Sequence, residues 1–311
     1  MNRLILLTIL LATTLVPASW AGVICTLNVG GQPSVALHDA VNNRTFVTLS
    51  SGNEILVLGH GCVIERTLSA SGSPEGIAFD GTNLWVALTG ANLVEKINVT
   101  TGSAATYPVG TGPRGVAFDG TYIWVTNSGS NNVTKLLATT GAHIATIPVG
   151  SFPWGVAVNA INGPVTIWVA NEKSASISIL EQNGALKQTL ATGSEPTFFA
   201  SSTLYNGGNW AGEMVVNCYT AQLVETFFYD GVLPAKLVAS SAISGNPVFT
   251  SPGSAGVFGV THNGHVFLIG SDGGVRYESL GSNNYGVAVD FNNSSVWVTD
   301  INEGLIFEIV F

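Results

Sequence analysis

Charge is what this chain lacks most. Only 9% of its 311 residues are Asp, Glu, Lys or Arg, against about 25% in ordinary soluble proteins. Ten basic residues face 19 acidic ones. Tracking a phosphate backbone takes many cationic contacts, so nucleic acid is excluded as a partner. Beyond the N-terminus no apolar run approaches the ~20 residues a membrane helix requires, and no span is expected once that segment is removed. Cysteine occurs three times, too rarely for a disulfide-dense scaffold and enough for at most one internal bridge. In place of charge stand 37 glycines, many Ser, Thr and Asn residues, and a hydrophobic fraction of 46%. That apolar content argues against disorder.

Met1 to Ala21 has the form of a secretory signal. Arg3 supplies the positive end, Leu4 to Val16 the apolar stretch, and Ser19-Trp20-Ala21 a small-x-small cleavage site. Residues 1–21 are therefore expected to be removed, leaving residues 22–311 as one domain, secreted, periplasmic or on the cell surface, and monomeric. Export places Cys25, Cys62 and Cys218 in an oxidising compartment.

Internal repetition is the strongest signal. Pro74-Glu75-Gly76-Ile77-Ala78-Phe79-Asp80-Gly81 aligns with Pro113-Arg114-Gly115-Val116-Ala117-Phe118-Asp119-Gly120, then with Pro153-Trp154-Gly155 and with Asn284-Tyr285-Gly286. Each is followed by a second apolar run, such as Leu84-Trp85-Val86-Ala87 or Ile123-Trp124-Val125-Thr126-Asn127, and then by two more. The anchors Pro33, Pro74, Pro113, Pro153, Pro196, Pro247 and Asn284 are 41, 39, 40, 43, 51 and 37 residues apart. Four short β-branched and aromatic runs per unit, at a period near 40, predict four-stranded antiparallel propeller blades. The last unit holds three runs, and Val23 to Val29 stands as an orphan at the other end. The expectation is thus an all-β, seven-bladed β-propeller whose last blade is closed by the N-terminal strand, since closure removes exposed sheet edges.

The units resemble the YVTN family of β-propeller repeats, related to NHL-type blades. Ile123 to Val133, continuing to Thr146-Ile147-Pro148-Val149-Gly150, carries that resemblance. It implies a secreted or surface propeller of varied activity. Streptogramin lyases and some lactonases use similar rings, a likeness of fold alone.

Two rings of positions are candidates for a ligand face. The residues after the anchors are Ser34, Glu75, Arg114, Trp154, Thr197, Val248 and Tyr285. Their chemistry varies, whereas the next residue is Gly at 76, 115, 155 and 286. Trp154 and Tyr285 can stack on a flat or sugar ligand, and Glu75 and Arg114 can pair or bind polar groups. The turn after the second run gives Leu49, Leu88, Asn127, Asn171, Asn217, His262 and Asp300. Asn127, Asn171 and Asn217 suit turn shaping and are candidate ligand contacts.

His262 and Asp300, with His265 close by, form the one acid–base group in the sequence. In streptogramin lyases the resemblance implies a face bearing His, Glu and a magnesium ion. His262 and His265 stand at such positions, and no matching Glu can be placed. Asp-Gly pairs at 80, 119 and 230 read as hairpin turns, and His38, His60 and His143 as structural. A Cys25–Cys62 bond would fix the ring closure if the two Cα atoms lie within about 7 Å, and Cys218 reads as a buried small hydrophobe.

The sequence points to a secreted binding or scaffold propeller presenting a mixed aromatic and polar funnel to a small molecule, glycan or protein, with no cofactor. The alternative is a lyase or hydrolase using His262, His265 and Asp300 on the same face, the one case in which a divalent metal such as magnesium enters.

Overall fold

In a strand covered on both faces, successive side chains are all buried and the sequence reads as an unbroken apolar run. The second strands have this form: Asn83–Leu88, Tyr122–Asn127 and Thr166–Asn171 are buried almost throughout. The fourth strands, such as Ala104–Pro108 and Leu186–Ala191, are mostly exposed and rich in Thr, Ala and Lys. Burial falling from the middle of each unit to its last strand is the mark of radial sheets with solvent at the rim. A computed structural model describes residues 23–160, 163–202, 205–206, 209–210, 212–229, 234–245, 247–253, 256–261, 263–270, 275–280, 284–290 and 295–310.

Six four-stranded antiparallel sheets are each formed by one continuous stretch of chain, with first strands Pro33–Asp39, Pro74–Phe79, Pro113–Phe118, Pro153–Asn159, Pro196–Ser202 and Pro247–Gly253. The expected seven-bladed wheel of like units is corrected on that count. Six blades are repeats of the sequence, and the remaining sheet is composite. Asn284–Asp290, Ser295–Asp300 and Leu305–Val310 give that sheet three strands, and Val23–Asn28 lies antiparallel on Leu305–Val310 as its edge. The six are not alike either. The blade opening at Pro196 carries a two-stranded hairpin, Tyr205–Asn206 with Asn209–Trp210, between its first and second strands. This inserted hairpin accounts for the long 51-residue interval.

First strands touch in chain order, and Asn284–Asp290 touches Pro33–Asp39 to close the circle. The core therefore lies between blades. Phe46 and Ile55 of one blade pack with Leu84, Val86 and Ile97 of the next. Trp85 packs with Ile123 and Val125, Trp124 with Ile167 and Val169, and Trp297 with Val47 and Leu58 across the closure.

Asp80 and Asp119 explain how buried Trp85 and Trp124 keep their polar edges satisfied. Asp80 accepts the Thr82 and Asn83 amides, shaping the hairpin, and its other oxygen accepts the Trp85 Nε1–H at 2.9 Å. Asp119 does the same for Thr121, Tyr122 and Trp124. Gly81 and Gly120 complete these turns at φ of 96° and 93°, so both Asp-Gly pairs are hairpin turns. Asp230 lies outside the described residues.

Cys25 and Cys62 are joined, with Cα atoms 6.0 Å apart. The bond ties the edge strand of the composite sheet to the following blade. Beside it, fully buried Glu308 accepts the His60 Nδ1–H and the Gly61 amide at 2.7 Å and the Ser295 hydroxyl at 2.8 Å. The ring is closed by strand pairing, a covalent bond and a buried carboxylate together.

Candidate functional site

Each first strand starts with a defect. Pro113 lies opposite Asn127 but Val116 opposite Val125, so the first strand holds one extra residue, a β-bulge. The same shift occurs after Pro74, Pro153 and Pro196. Bulges re-aim side chains and occur beside functional sites. The residue after each anchor sits in this bulge, at the blade end where chain crosses from one blade to the next.

The backbone of that residue is tightly held. A Cβ on Gly76 would stand 2.0 Å from the Arg114 carbonyl oxygen, one on Gly115 2.6 Å from that of Trp154, and one on Gly155 2.1 Å from that of Thr197. The glycines are required because neighbouring first strands approach so closely. Threonine hydroxyls cross the same seams. Thr126 accepts the Gly115 amide and donates to the Trp154 carbonyl at 2.5 Å, Thr48 donates to the Glu75 carbonyl, and Thr299 to that of Ser34. The positions are rigid while their side chains vary.

Three consecutive members of the ring form one cluster. Arg114 donates to Glu75 at 3.0 Å and to the Ser128 hydroxyl at 3.3 Å. Its guanidinium lies 3.8 Å from the Trp154 ring centroid and 5.7 Å from that of Phe152. Phe198 of the following blade meets Trp154 edge-on at 6.4 Å. The side chains of Arg114 and Glu75 keep 21% and 27% of their surface exposed, so the group is open to a ligand. Burial pushes the Glu75 carboxyl above its ordinary range, against the pull of Arg114 and the Thr89 hydroxyl.

Ser34 and Thr197, the other described members of the first ring, do not join it. Both are buried in the blade seams, where their hydroxyls meet Thr48 and the Asn217 carbonyl. The side chains of Val248 and Tyr285 lie outside the described residues.

Two neighbours of the cluster escaped the sequence reading. Phe152 and Glu195, each just before an anchor, have φ of 55°, where a bulky residue is a true outlier. At the matching position of the preceding blade Gly112 has φ of 61°. Strain of this kind gathers at ligand clamps. Phe152 also lies 6.1 Å from Trp154. The turn Glu172–Ser174, a short 3-10 turn, follows the second strand of the same blade, and its Lys173 ammonium lies 4.1 Å from the Phe152 ring centroid. The residue at this position varies from unit to unit and is Gly only at 112, so nothing in the repeat marks Phe152.

The described members of the second ring lie inside the blades. Asn127, Asn171 and Asn217 are fully buried. Asn127 donates to Asn132 and Thr134, and Asn171 to Ser176 and Ser178, fastening the second strand to the third. Register also corrects two members. The residue opposite the anchor is Cys218, not Asn217, in the blade from Pro196, and Thr261, not His262, in the blade from Pro247. A one-residue offset puts a side chain on the other face of its sheet.

His262 lies outside the described residues. His265 Nδ1 meets the Ser279 hydroxyl at 3.0 Å, and Asp300 accepts the Asn302 and Glu303 amides, shaping its own turn. Among the described residues no three His, Cys, Asp or Glu side chains gather as a metal-holding group. His38 and His143 bond Thr45 and Thr146. Cys218 is buried beside Glu225, and burial together with that carboxylate pushes its thiol far above the ordinary range. Among the described residues no helix is long and apolar enough to cross a membrane.

No family model and no curated protein matches the chain. Solved structures do. A streptogramin B lyase structure covers 91% of this chain, and 96% of its own length is matched, at a TM-score of 0.77 and 16% identity. A catalytically inactive virginiamycin B lyase from Staphylococcus aureus with quinupristin gives 92% and 98% coverage, a TM-score of 0.77 and 13% identity. The beta-propeller domain of Cps50 (Swd1) from Myceliophteria thermophila gives 93% and 99%, 0.76 and 11%. At such identities the likeness shows the fold, a β-propeller, and leaves activity open.

Proposed function

We propose that the chain is an exported binding propeller whose ligand, a small molecule, glycan or peptide segment of a protein, seats on the Glu75–Arg114–Trp154 cluster. The observation that carries this reading is the Arg114 guanidinium stacked 3.8 Å from the Trp154 ring while paired to Glu75, on backbone fixed by blade seams. Preorganised aromatic and Arg groups on rigid elements are what recognition uses. Half-buried Phe152 and Phe198 extend the apolar floor. The signal-like residues 1–21 and the Cys25–Cys62 bond support export.

A binding screen tests the proposal. Thermal-shift measurement against glycans, peptides and divalent metals should give at least one hit, because a ligand that binds only the folded state raises its stability. Trp154→Ala and Arg114→Ala should abolish that hit in a folded protein. A hit indifferent to both changes places the site elsewhere.

The lyase or hydrolase reading draws its support from the streptogramin lyase neighbours and keeps His262, His265 and Asp300 as its residues. It requires a turnover assay on the exported protein in which His262→Ala removes activity, with magnesium tested as an additive. A turnover rate unchanged in that variant dismisses it.

A further inference from the structure

At one side of the cluster the protein's own lysine occupies an aromatic face. Lys173 is exposed, and its ammonium rests on Phe152. Two carboxylates, Glu172 and Glu195, adjoin it. Glu172 donates its amide to the Phe152 carbonyl at 3.1 Å, which fixes it beside the ring. Its Oε2 is sealed from solvent with no hydrogen-bond partner. Burial and the nearby Glu195 push the Glu172 carboxyl above its ordinary range, while Arg114 and Lys173 pull it down. Arg114 is already engaged by Glu75, Ser128 and Trp154. An added cation would relieve the Glu172–Glu195 repulsion, and an added anion would add to it.

We propose that the Phe152 face, bordered by Glu172 and Glu195, is a subsite for an organic cation of the alkylammonium or guanidinium class, and that Lys173 is its built-in competitor. This rests on the binding reading above and names the charge of the ligand's contacting end. A side chain on a flexible four-carbon stem leaves an exposed aromatic face at small cost. A ligand cation that also donates to Glu172 then replaces it.

The test compares n-butylammonium with its neutral and anionic counterparts, n-butanol and butyrate, by NMR titration of the full chain. Butylammonium should bind in the millimolar range and the other two at least ~5-fold more weakly, the ratio expected of one desolvated cation–π contact. Lys173→Ala should tighten butylammonium by about 2- to 5-fold, and Glu172→Gln should weaken it by at least as much, with unchanged thermal unfolding as the check on folding. Equal binding of butanol, tighter binding of butyrate, or loss of affinity in Lys173→Ala would overturn the assignment. The two proposals fail separately. A glycan or peptide hit lost in Trp154→Ala leaves the binding reading standing even when butylammonium and butanol are not distinguished. Butylammonium binding that needs Glu172 but not Trp154 upholds the subsite and moves the centre of the larger site.

Discussion

Two adjacent positions in four of the first strands obey opposite rules. At 76, 115, 155 and 286 the residue is always Gly, because the neighbouring blade's carbonyl stands where a Cβ would go. One residue earlier, Glu75, Arg114 and Trp154 stand at the same place in the bulge, yet differ wholly in chemistry. The fold thus spends its constraint on one position and leaves the other free. Repetition of a residue in a repeat protein reports sterics, and variation on an equally rigid backbone marks where function can reside.

The sharpest way to break the comparison is Gly76→Ala. A methyl group 2.0 Å from a backbone oxygen cannot be absorbed by side-chain movement, and overpacking of this kind costs at least about 3 kcal/mol. A fall in Tm of roughly 6 °C or more is expected in a domain of this size. Glu75→Ala, next door, should change stability by less than about 1 kcal/mol. Similar losses from both would erase the distinction.

Cys62→Ser comes next. The Cys25–Cys62 bond closes a loop of 37 residues, worth on the order of 3–4 kcal/mol in the chain-entropy picture. Denaturant unfolding should show that loss, and amide exchange should quicken first in Val23–Asn28, the strand fastened to the sheet edge. Uniform quickening over all blades would mean that closure is not local.

Thr126→Val sharpens the seam argument. It strips a bond from the Trp154 carbonyl and the Gly115 amide, a loss of about 1–2 kcal/mol. Ala87 and Ala170 hold the matching position in other blades, so the ring should survive the change. Weaker ligand binding at Trp154 without unfolding is the expected signature.

The smallest effect is a pH dependence with two signs. Burial raises Glu75, so the folded state favours its protonated form. Its contribution is greatest below the unfolded carboxyl pKa and is lost as pH rises through the folded one. For Asp80, burial alone would raise the pKa, but bonds from Trp85, Asn83 and Thr82 outweigh it and the net shift is downward. Its contribution is present above the unfolded pKa and is lost as pH falls through the folded one. Glu75→Gln should flatten the decline on the alkaline side of the carboxyl range, and Asp80→Asn the decline on the acid side. Stability curves measured from acid to neutral pH check both signs.

Much of the architecture was legible because its causes are local. Pro-x-Gly marks the bulges that open at Pro74, Pro113 and Pro153, Asp-Gly marks the hairpins whose aspartates receive Trp85 and Trp124, and the orphan run Val23–Val29 matches the strand missing from the last unit. The likeness of all units was overstated: the hairpin at 205–210 interrupts one blade, and the closing sheet is shared between distant segments. The candidate cluster was half legible. Glu75, Arg114 and Trp154 were marked by their variety, and the structure brings them together. Asn217 and His262 were placed one residue out of register in the blades where the Trp-containing second strand is absent and nothing pins the alignment. Phe152, Glu195 and Lys173 were missed because a positive φ and a stacked ammonium belong to three-dimensional geometry that a repeat pattern does not record.

The most direct test of the central claim is a ligand screen run in parallel on the wild-type chain, Trp154→Ala and Gly115→Ala, with binding and Tm measured together. Trp154→Ala should keep the wild-type Tm within about 3 °C and lose the ligand, while Gly115→Ala loses stability first. A Trp154→Ala protein that binds the same ligand with wild-type affinity would contradict the account.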